Sequence, residues 1–300
     1  MRRLNFAEPV SPQWRLKGVD DVFRGSEALR QGKLTRYQLL RDFRPIYPDT
    51  YVPRCAAPSL RTRSVAAWLW SGRRGVLAGL AAAALHGSSW IDDDEPVEMV
   101  WRNPHPPAGV VTRGPRLNDD ELARVAGLPV TTPARTAFDL ARQRPTGEAV
   151  ARLDALQRAT SFSIEEVQLL VKRYPGARGL RRLRSVLSLV DAGAASPKET
   201  WLRLLLINAG LPVPTTQIPV QENWRCIGVL DMGWEKYKVA VEYDGDHHRS
   251  DRRQYARDQW RLRKLEQLGW IIVRVIAEDK PDDVVRRVRG ALHRRGYRDF

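Results

Sequence analysis

The sequence has few cysteines and no long apolar run. Its two cysteines, Cys55 and Cys226, lie far apart among 300 residues, which argues against a disulfide framework and a cysteine-based zinc site. The longest apolar run, from Val76 to Leu85, covers ten residues and is too short to span a bilayer. The first five residues lack the apolar core of a secretory signal. We therefore expect a cytoplasmic protein that has no membrane partner.

Positive charge is abundant and is mostly arginine. The net charge is +15 and the pI is about 10.4. Residues 1–195 contribute +10 and residues 196–300 contribute +5, so the excess does not come from a single basic tail. Guanidinium groups bind phosphates well, and a cytoplasmic protein this basic most often meets nucleic acid. The length suggests two or three domains.

The first ordered segment has the pattern of a small helical domain with a hairpin. Residues 21–30 are expected to form a helix, and Thr35 is placed as the N-cap of a second helix. Residues 44–53 resemble two short strands around a Pro-Asp turn. This order favours a winged helix-turn-helix, with any small helical subdomain as the alternative. Arg36 and Arg41, on the second helix, are then the candidates for DNA contacts.

The next segment mixes helices and strands. Residues 65–86 are apolar and alanine-rich, and a Gly-Arg-Arg-Gly break predicts two packed helices there. Two strands are expected at 96–101 and 109–113. Three helices are then expected, one opened by Thr132-Pro133, one by a capping box at Ser163, and one covering Gly179 to Val190.

Residues 20–190 resemble the AbiEi-type antitoxin family. The matching motifs are Gly-Lys-Leu-Thr-Arg from Gly32, Ile46-Tyr47-Pro48 to Tyr51-Val52, Ala81 to Gly87 ending in Leu-His-Gly, and Thr132-Pro133-Ala134-Arg135-Thr136-Ala137 to Asp139-Leu140. The resemblance implies a winged-helix DNA-binding head joined to a mixed helical and strand domain.

A small, flexible linker at 191–195 precedes the last segment. Beyond it, a helix led by Ser196-Pro197 reaches Asn208 and is followed by strands at 216–221 and 225–232 and by a third strand starting at Val239. A helix at 252–268, a strand at 270–276 and a basic helix complete the segment. The predicted order is helix, three strands, helix, strand, helix.

Carboxylates are concentrated near the third of these strands. Glu242 and Asp244 alternate with apolar residues, so they face the same side of the strand. A tight turn at 235–236 would place Asp231 opposite Ala240 or Val241. Glu199 adds a fourth carboxylate if its helix packs across the others. Such a group suits one or two magnesium ions, and without metal at least one pKa should be raised.

Simpler readings of these carboxylates remain open. Glu242 and Asp244 could belong to an exposed edge strand on which both acids are solvated. Glu199 lies three residues after Ser196, which is the capping-box position of its helix. The capping role and a role in the site can coexist.

Residues 196–295 resemble the PD-(D/E)XK nuclease superfamily, in the branch related to very-short-patch-repair endonucleases. The matching residues are Glu199, Asp231, Glu242-Tyr243-Asp244-Gly245, His248, Asp258, Arg261 and Arg274. The resemblance implies a three-layer α/β/α core with magnesium-dependent phosphodiester hydrolysis. Asp231, Glu242 and Asp244 would hold Mg²⁺ or Mn²⁺. His248 would supply proton transfer or charge stabilisation, and Glu199 would orient metal water or a ligand. Asp244 stands where the general pattern has lysine; the related branch also lacks this lysine and has a histidine downstream, so catalysis would depend on His248.

Arginines recur along the helix that follows. Arg253, Arg257 and Arg261 are spaced four residues apart, which is ordinary on a solvated helix but would follow a phosphate backbone beside a nuclease site. Asp258 and Arg261 are spaced like a routine helix surface pair. The family resemblance implies instead that they brace the active site.

The predicted fold is α/β, with a restriction-endonuclease-like domain at 196–300. An arm at 1–20, a winged helix-turn-helix-like head at 21–62, an α+β domain at 63–190 and the linker at 191–195 precede it. The predicted function is a metal-dependent DNA endonuclease with an antitoxin-like DNA-binding region. The alternative is a non-catalytic DNA-binding regulator or antitoxin with a degenerate nuclease fold. DNA is the expected partner, and a toxin or a second copy of the chain is a further candidate.

Overall fold

The structure is a computed structural model that describes residues 22–103, 105–114, 116–245 and 252–298, with the backbone alone for 252–256. The predicted arm at 1–20 and His248 lie outside these residues. The described chain is a mixed α/β structure that separates into two compact units, one formed by 22–85 and 91–132, the other by 86–90 and 133–298. No helix in these ranges combines the length and apolarity needed to cross a membrane.

The first unit begins with a small helix-and-hairpin head. Its elements are β1 (Phe23–Arg24), α1 (Gly25–Arg30), α2 (Arg36–Asp42), β2 (Phe43–Tyr47) and β3 (Thr50–Pro53), with the sheet order β1-β3-β2. The second helix and both strands are confirmed, and Thr35 forms a capping box with Gln38. The helix predicted at 21–30 is shorter, because Phe23 and Arg24 pair with β3 instead.

The turn between β2 and β3 also holds the start of α1. Asp49 adopts a left-handed φ of 59° in this turn. Its carboxylate accepts hydrogen bonds from the backbone N–H of Ser26 at 2.8 Å and from the Ser26 hydroxyl at 2.6 Å. Arg24 donates to the same carboxylate at 3.1 Å. Aspartate suits this position because its short side chain tolerates the left-handed region and reaches nearby backbone donors.

The rest of the first unit is built on a five-stranded sheet. Its elements are α3 (Leu60–Trp70), β4 (Val76–Leu77), α4 (Gly79–Leu85), β5 (Val97–Val100), β6 (Val110–Arg113), β7 (Leu122–Val125) and β8 (Leu128–Thr131), and the sheet order is β6-β5-β4-β8-β7.

The two helices and the β5 and β6 strands of this region are confirmed, but two features were not predicted. The short strand β4 lies between α3 and α4, inside a run that has a helical composition. The β7–β8 hairpin turns through Ala126 and Gly127, whose φ angles of 49° and 81° both lie in the left-handed region. Such a two-residue loop matches the twist of antiparallel strands.

The second unit opens with helices and continues into a sheet. The helices are α5 (Pro133–Gln143), α6 (Thr146–Thr160), α7 (Ile164–Arg173) and α8 (Leu180–Leu187). The expected starts of α5 at Pro133 and of α7 at the Ser163 capping box are confirmed. The remaining elements are α9 (Pro197–Asn208), β9 (Thr215–Glu222), β10 (Arg225–Trp234), β11 (Val239–Tyr243), α10 (Arg252–Gln267), β12 (Ile271–Val275) and α11 (Pro281–Arg294), which confirms the predicted order.

Helices cover both faces of this last sheet. The strand order is β12-β11-β10-β9, with β11 and β12 parallel and the other pairs antiparallel. One apolar core joins α9 and α11 to residues such as Met232 and Val241. A second core joins Leu265 of α10 to Leu230 and Ala240. The segment from α9 to α11 therefore has three layers, with a mixed sheet in the middle.

A buried ion pair joins the helices of the second unit to α9. Asp154, on α6, is 1% exposed and accepts hydrogen bonds from Arg203 at 3.0 Å and from the Thr200 hydroxyl at 2.8 Å. It also accepts from the backbone N–H of Asp191 at 2.8 Å. Burial raises the pKa of Asp154 to about 6, although these partners oppose the rise. This carboxylate thus ties α6, the linker and α9 together.

We expect Asp154→Ala to destabilise the protein by about 3–5 kcal/mol, because it leaves the buried guanidinium of Arg203 without its counter-charge. Urea unfolding followed by circular dichroism measures this loss. Glu148→Ala is the matched control on the same helix. It removes a half-exposed ion pair with Arg144 and should cost less than about 1 kcal/mol. Equal losses in the two variants would contradict the role given to Asp154.

Candidate functional site

The β10–β11 hairpin brings Asp231 next to Glu242. Met232 pairs with Val241 and Gly233 with Ala240, so Asp231 lies one residue beyond the last pair. The prediction that Asp231 faces Ala240 or Val241 is therefore wrong. The turn is longer than the two residues assumed, because a 3₁₀ turn at Glu235–Tyr237 is followed by Lys238 in the left-handed region. The two extra residues shift the register toward Glu242.

Asp231 is the most perturbed carboxylate of this site. One of its oxygens accepts the backbone N–H of Tyr243 at 2.9 Å. Burial raises the pKa of Asp231 to about 7; the Tyr243 N–H opposes this rise, and the charges of Glu199 and Glu242 add to it. Asp231 therefore lies close enough to Glu199 and Glu242 to be repelled by both, whereas the predicted group was Asp231, Glu242 and Asp244 with Glu199 as a possible fourth member.

Glu199 reaches the site while it caps its own helix. Ser196 and Glu199 form the expected capping interaction, with the Glu199 N–H donating to the Ser196 hydroxyl at 3.2 Å. The Glu199 carboxylate accepts from the backbone N–H of Ala195 at 2.8 Å and from the Ser196 hydroxyl at 3.0 Å. It also accepts from the Gln217 side chain at 3.4 Å. Capping is thus the observed role, and it leaves Glu199 buried beside Asp231.

Gln217 is a residue of this site that the sequence did not reveal. It lies inside β9 with a φ of 52°, a left-handed angle that is unusual in a strand. Such backbone strain costs about 1–3 kcal/mol and is concentrated at functional positions in proteins. The sequence gives no signal for it, because Gln217 is neither glycine nor asparagine and the strand pattern continues through it.

Arg261 neutralises Glu242. Its Nη1 donates to Glu242 at 3.3 Å, and its Nη2 contacts the other oxygen of the same carboxylate. Nη2 also donates to the carbonyl of Val229 at 2.8 Å. The guanidinium passes over Gly228, where a Cβ would lie only 2.5 Å from the Arg261 Nε. A glycine inside a strand often marks such a close approach, and this was the available sequence signal.

Asp244 is neutralised by a second arginine. Arg274, on the parallel strand β12, is in register with Glu242 and forms an ion pair with Asp244. The backbone N–H of Asp244 donates to the carbonyl of Val275 at 2.7 Å, which extends the strand pairing. Both carboxylates of the Glu-x-Asp motif therefore have a guanidinium partner, while Asp231 has a backbone donor.

The other predicted contact residues lie in different places. Arg257 is exposed on α10, whereas His248 and the side chain of Arg253 lie outside the described residues. Arg36 and Arg41 are both exposed on α2, in the first unit. The structure thus brings Asp231 close to Glu199 and Glu242, and it places the two α2 arginines in another unit of the chain.

The arrangement does not fit a ready-made divalent-cation site. Within the described ranges, no three or more His, Cys, Asp or Glu side chains form a group that could hold a metal ion. Arg261 already pairs with Glu242, and Arg274 pairs with Asp244. The Glu199 carboxylate accepts a hydrogen bond from the backbone N–H of Ala195, at the start of its own helix. The expectation of Mg²⁺ or Mn²⁺ therefore stays a prediction.

Comparisons with known proteins support the antitoxin-like part. Residues 76–189 match the family model described as AbiEi antitoxin C-terminal domain. Two Mycobacterium tuberculosis proteins, Uncharacterized protein MT2308 and Uncharacterized protein Rv2248, are each 32% identical over 243 residues, which is 78% of this chain and 84% of theirs. The chain belongs to the family of these two mycobacterial proteins. No solved structure matches this chain. Nothing in the comparisons supports the nuclease resemblance.

The raised pKa of Asp231 gives a test of the site. Because the folded state keeps this proton to a higher pH than the unfolded chain, the free energy of unfolding should fall as pH rises from about 4 to about 7. A shift from 3.8 to about 7 corresponds to at most about 4 kcal/mol. We expect Asp231→Asn to reduce this dependence to the part that Asp154 contributes, and to be more stable than the wild type at pH 8.

Urea unfolding at pH 4, 6 and 8 measures this effect. Glu235→Gln, in the exposed turn between β10 and β11, is the control and should follow the wild-type pH profile. If the free energy of unfolding of Asp231→Asn varies with pH as in the wild type, Asp231 is not the titrating group.

Proposed function

We propose that the protein is an antitoxin-like regulator that binds DNA through the head formed by residues 22–53. The observation that carries this proposal is the AbiEi match at 76–189, because it follows, after helix α3, a head with the element order strand, two helices and a hairpin. That order fits a helix-turn-helix with a wing, whose second helix enters the major groove. The basic composition supports the same partner.

The exposed face of α2 suits a groove contact. Tyr37 is 70% exposed and Leu40 is 58% exposed, so two large hydrophobic side chains of this helix lie in water. Arg36 and Arg41 are exposed on the same short helix. Arginines beside exposed apolar side chains can combine phosphate or base contacts with packing against sugars and thymine methyl groups.

The two arginines of α2 differ in availability. Arg41 donates to both oxygens of Asp42, at 2.7 and 2.8 Å, and its guanidinium lies 5.3 Å from the centre of the Tyr37 ring. In the part of the chain that the structure describes, the Arg36 side chain has no hydrogen bond or ion pair. Arg36 can therefore bind a phosphate without breaking an internal bond, whereas Arg41 must first leave Asp42.

The C-terminal end of α2 is anchored to the hairpin. Arg54 donates through Nη2 to the Leu40 carbonyl at 2.6 Å and through Nε to the Arg41 carbonyl at 3.2 Å. A cation at this end satisfies carbonyls that lack helical partners. This contact fixes the direction of α2 relative to the strands, which a reading helix requires.

We expect Arg36→Ala to weaken duplex binding and to reduce the slope of log K against log salt by about one unit. Each lost phosphate contact releases one counterion fewer. Fluorescence anisotropy of the full chain with a labelled 20-base-pair duplex, at several salt concentrations, measures both quantities. Arg124→Ala removes an exposed arginine on β7 of the same unit and should leave both unchanged. Equal affinities and slopes for Arg36→Ala and wild type would contradict the assignment.

A toxin partner is a further proposal that the AbiEi match supports. Antitoxins of this kind are expected to act together with a toxin, and this expectation accompanies the DNA-binding role. A second copy of the chain remains a candidate partner as well.

The second candidate function is a metal-dependent DNA endonuclease at residues 196–298. The observation that favours it is the convergence of Asp231, Glu199 and Glu242 on a three-layer domain. Against it stand the ion pairs that occupy Glu242 and Asp244. Catalysis would need these guanidinium groups to give way to a cation.

We expect cleavage of supercoiled plasmid, if this function holds, to require Mn²⁺ or Mg²⁺ and to disappear in Asp231→Asn. His248→Ala should slow cleavage about 10²–10⁴-fold, as loss of acid–base help does. Glu235→Gln is the control. Wild-type protein that binds duplex tightly but leaves supercoiled, linear, single-stranded and mismatched DNA intact would rule out this candidate and leave the regulator.

A further inference from the structure

The tip of the β9–β10 hairpin displays a tryptophan to solvent. Glu222 pairs with Arg225, so Asn223 and Trp224 form a two-residue loop. Their φ angles are 48° and 65°, which is the type I′ turn preferred in such hairpins. Trp224 is 99% exposed. The indole therefore projects from the end of the hairpin with its ring surface in water.

The fold itself gains nothing from this tryptophan. Asparagine suits the first loop position, but glycine is the residue that the second position favours, because both positions need a left-handed backbone. A bulky aromatic residue is an outlier in that region. An exposed ring also leaves a large apolar area in water. Both effects oppose stability, so a role outside folding accounts for Trp224.

The surroundings of the tip are basic. Arg225 follows Trp224 and is exposed, and Lys264 of α10 binds Glu222 at the base of the loop at 3.1 Å. Residues 252–267 of that helix contain six arginines and lysines against two acidic residues. The tip is thus attached to a positively charged helix, and a single flat ring beside cations matches a nucleotide better than an apolar protein surface or a lipid bilayer.

We propose that Trp224 is a stacking platform for an unpaired nucleobase, with the basic helix α10 beside the phosphate backbone. The proposal rests on the proposed function only in naming nucleic acid as the partner. Its contact lies in the second unit and involves single-stranded or opened DNA, whereas α2 is assigned to duplex. Aromatic side chains bind bases in this way without reading their sequence.

The test uses the full chain with labelled dT15 and with a blunt 15-base-pair duplex. We expect Trp224→Gly to lower the affinity for dT15 by about 5- to 150-fold, the loss typical of one stacked base, and to change the duplex affinity less than about 2-fold. Stacking should also quench wild-type tryptophan fluorescence, and Trp224→Gly should remove part of that quenching. Because glycine suits the turn, this variant should melt at or above the wild-type temperature.

Trp90→Gly is the matched control, since Trp90 is also exposed, at 55%, and has a φ of 64°. It should bind dT15 like the wild type. Unchanged dT15 affinity in Trp224→Gly, or an equal loss for duplex and dT15, would overturn the proposal, as would a wild type that does not bind dT15. The duplex affinity of Arg36→Ala tests the assignment of α2, and the dT15 affinity of Trp224→Gly tests the stacking role. Failure of one proposal can therefore be told apart from failure of the other.

Discussion

Neutralisation of buried carboxylates by arginine is the constraint on which this structure depends. Asp154 forms an ion pair with Arg203, Asp139 with Arg135 at 2.9 Å, and Glu242 with Arg261. Removing a carboxylate from water is costly unless a cation or several donors replace the solvent. These pairs also change the meaning of the net charge of +15, because part of the arginine excess serves the interior and not an external phosphate.

Asp231 is treated differently, and that difference separates the two candidate functions. Its nearest described donor is a backbone N–H, and burial, with a smaller effect from its acidic neighbours, raises its pKa to about 7. Such a group can become neutral by taking up a proton, or it can stay charged beside a cation. The first outcome gives a stable, non-catalytic domain and the second gives a metal centre. Because Arg261 already occupies Glu242, the arrangement supports the proposed regulator better than the proposed nuclease.

Local patterns predicted the elements well, and long-range geometry decided the rest. The caps at Ser196 and Thr35 and the alternation along β11 depend on neighbouring residues, so each was predicted. The register of β10 against β11 depended on a turn whose length cannot be read from Glu235 and Lys236 alone. The passage of Arg261 over Gly228 joins residues far apart in the chain, and a single sequence does not connect them. The strand β4 has two residues, too few to show a period.

Some residues with a left-handed φ are needed to close turns, whereas others carry backbone strain that the fold does not need. Asp49 and Lys238 close turns, and Asp49 also gains hydrogen bonds to α1 that offset its backbone strain. Gln217 has no turn to make, yet its side chain meets Glu199, so its strain is coupled to the acidic site. Trp224 closes a turn that glycine would close at lower cost, and it is 99% exposed, so no contact within the described ranges requires the indole. Strain without a structural return is therefore found at the acidic site and at the hairpin tip. Both lie in the C-terminal three-layer segment, which the AbiEi match at 76–189 does not cover.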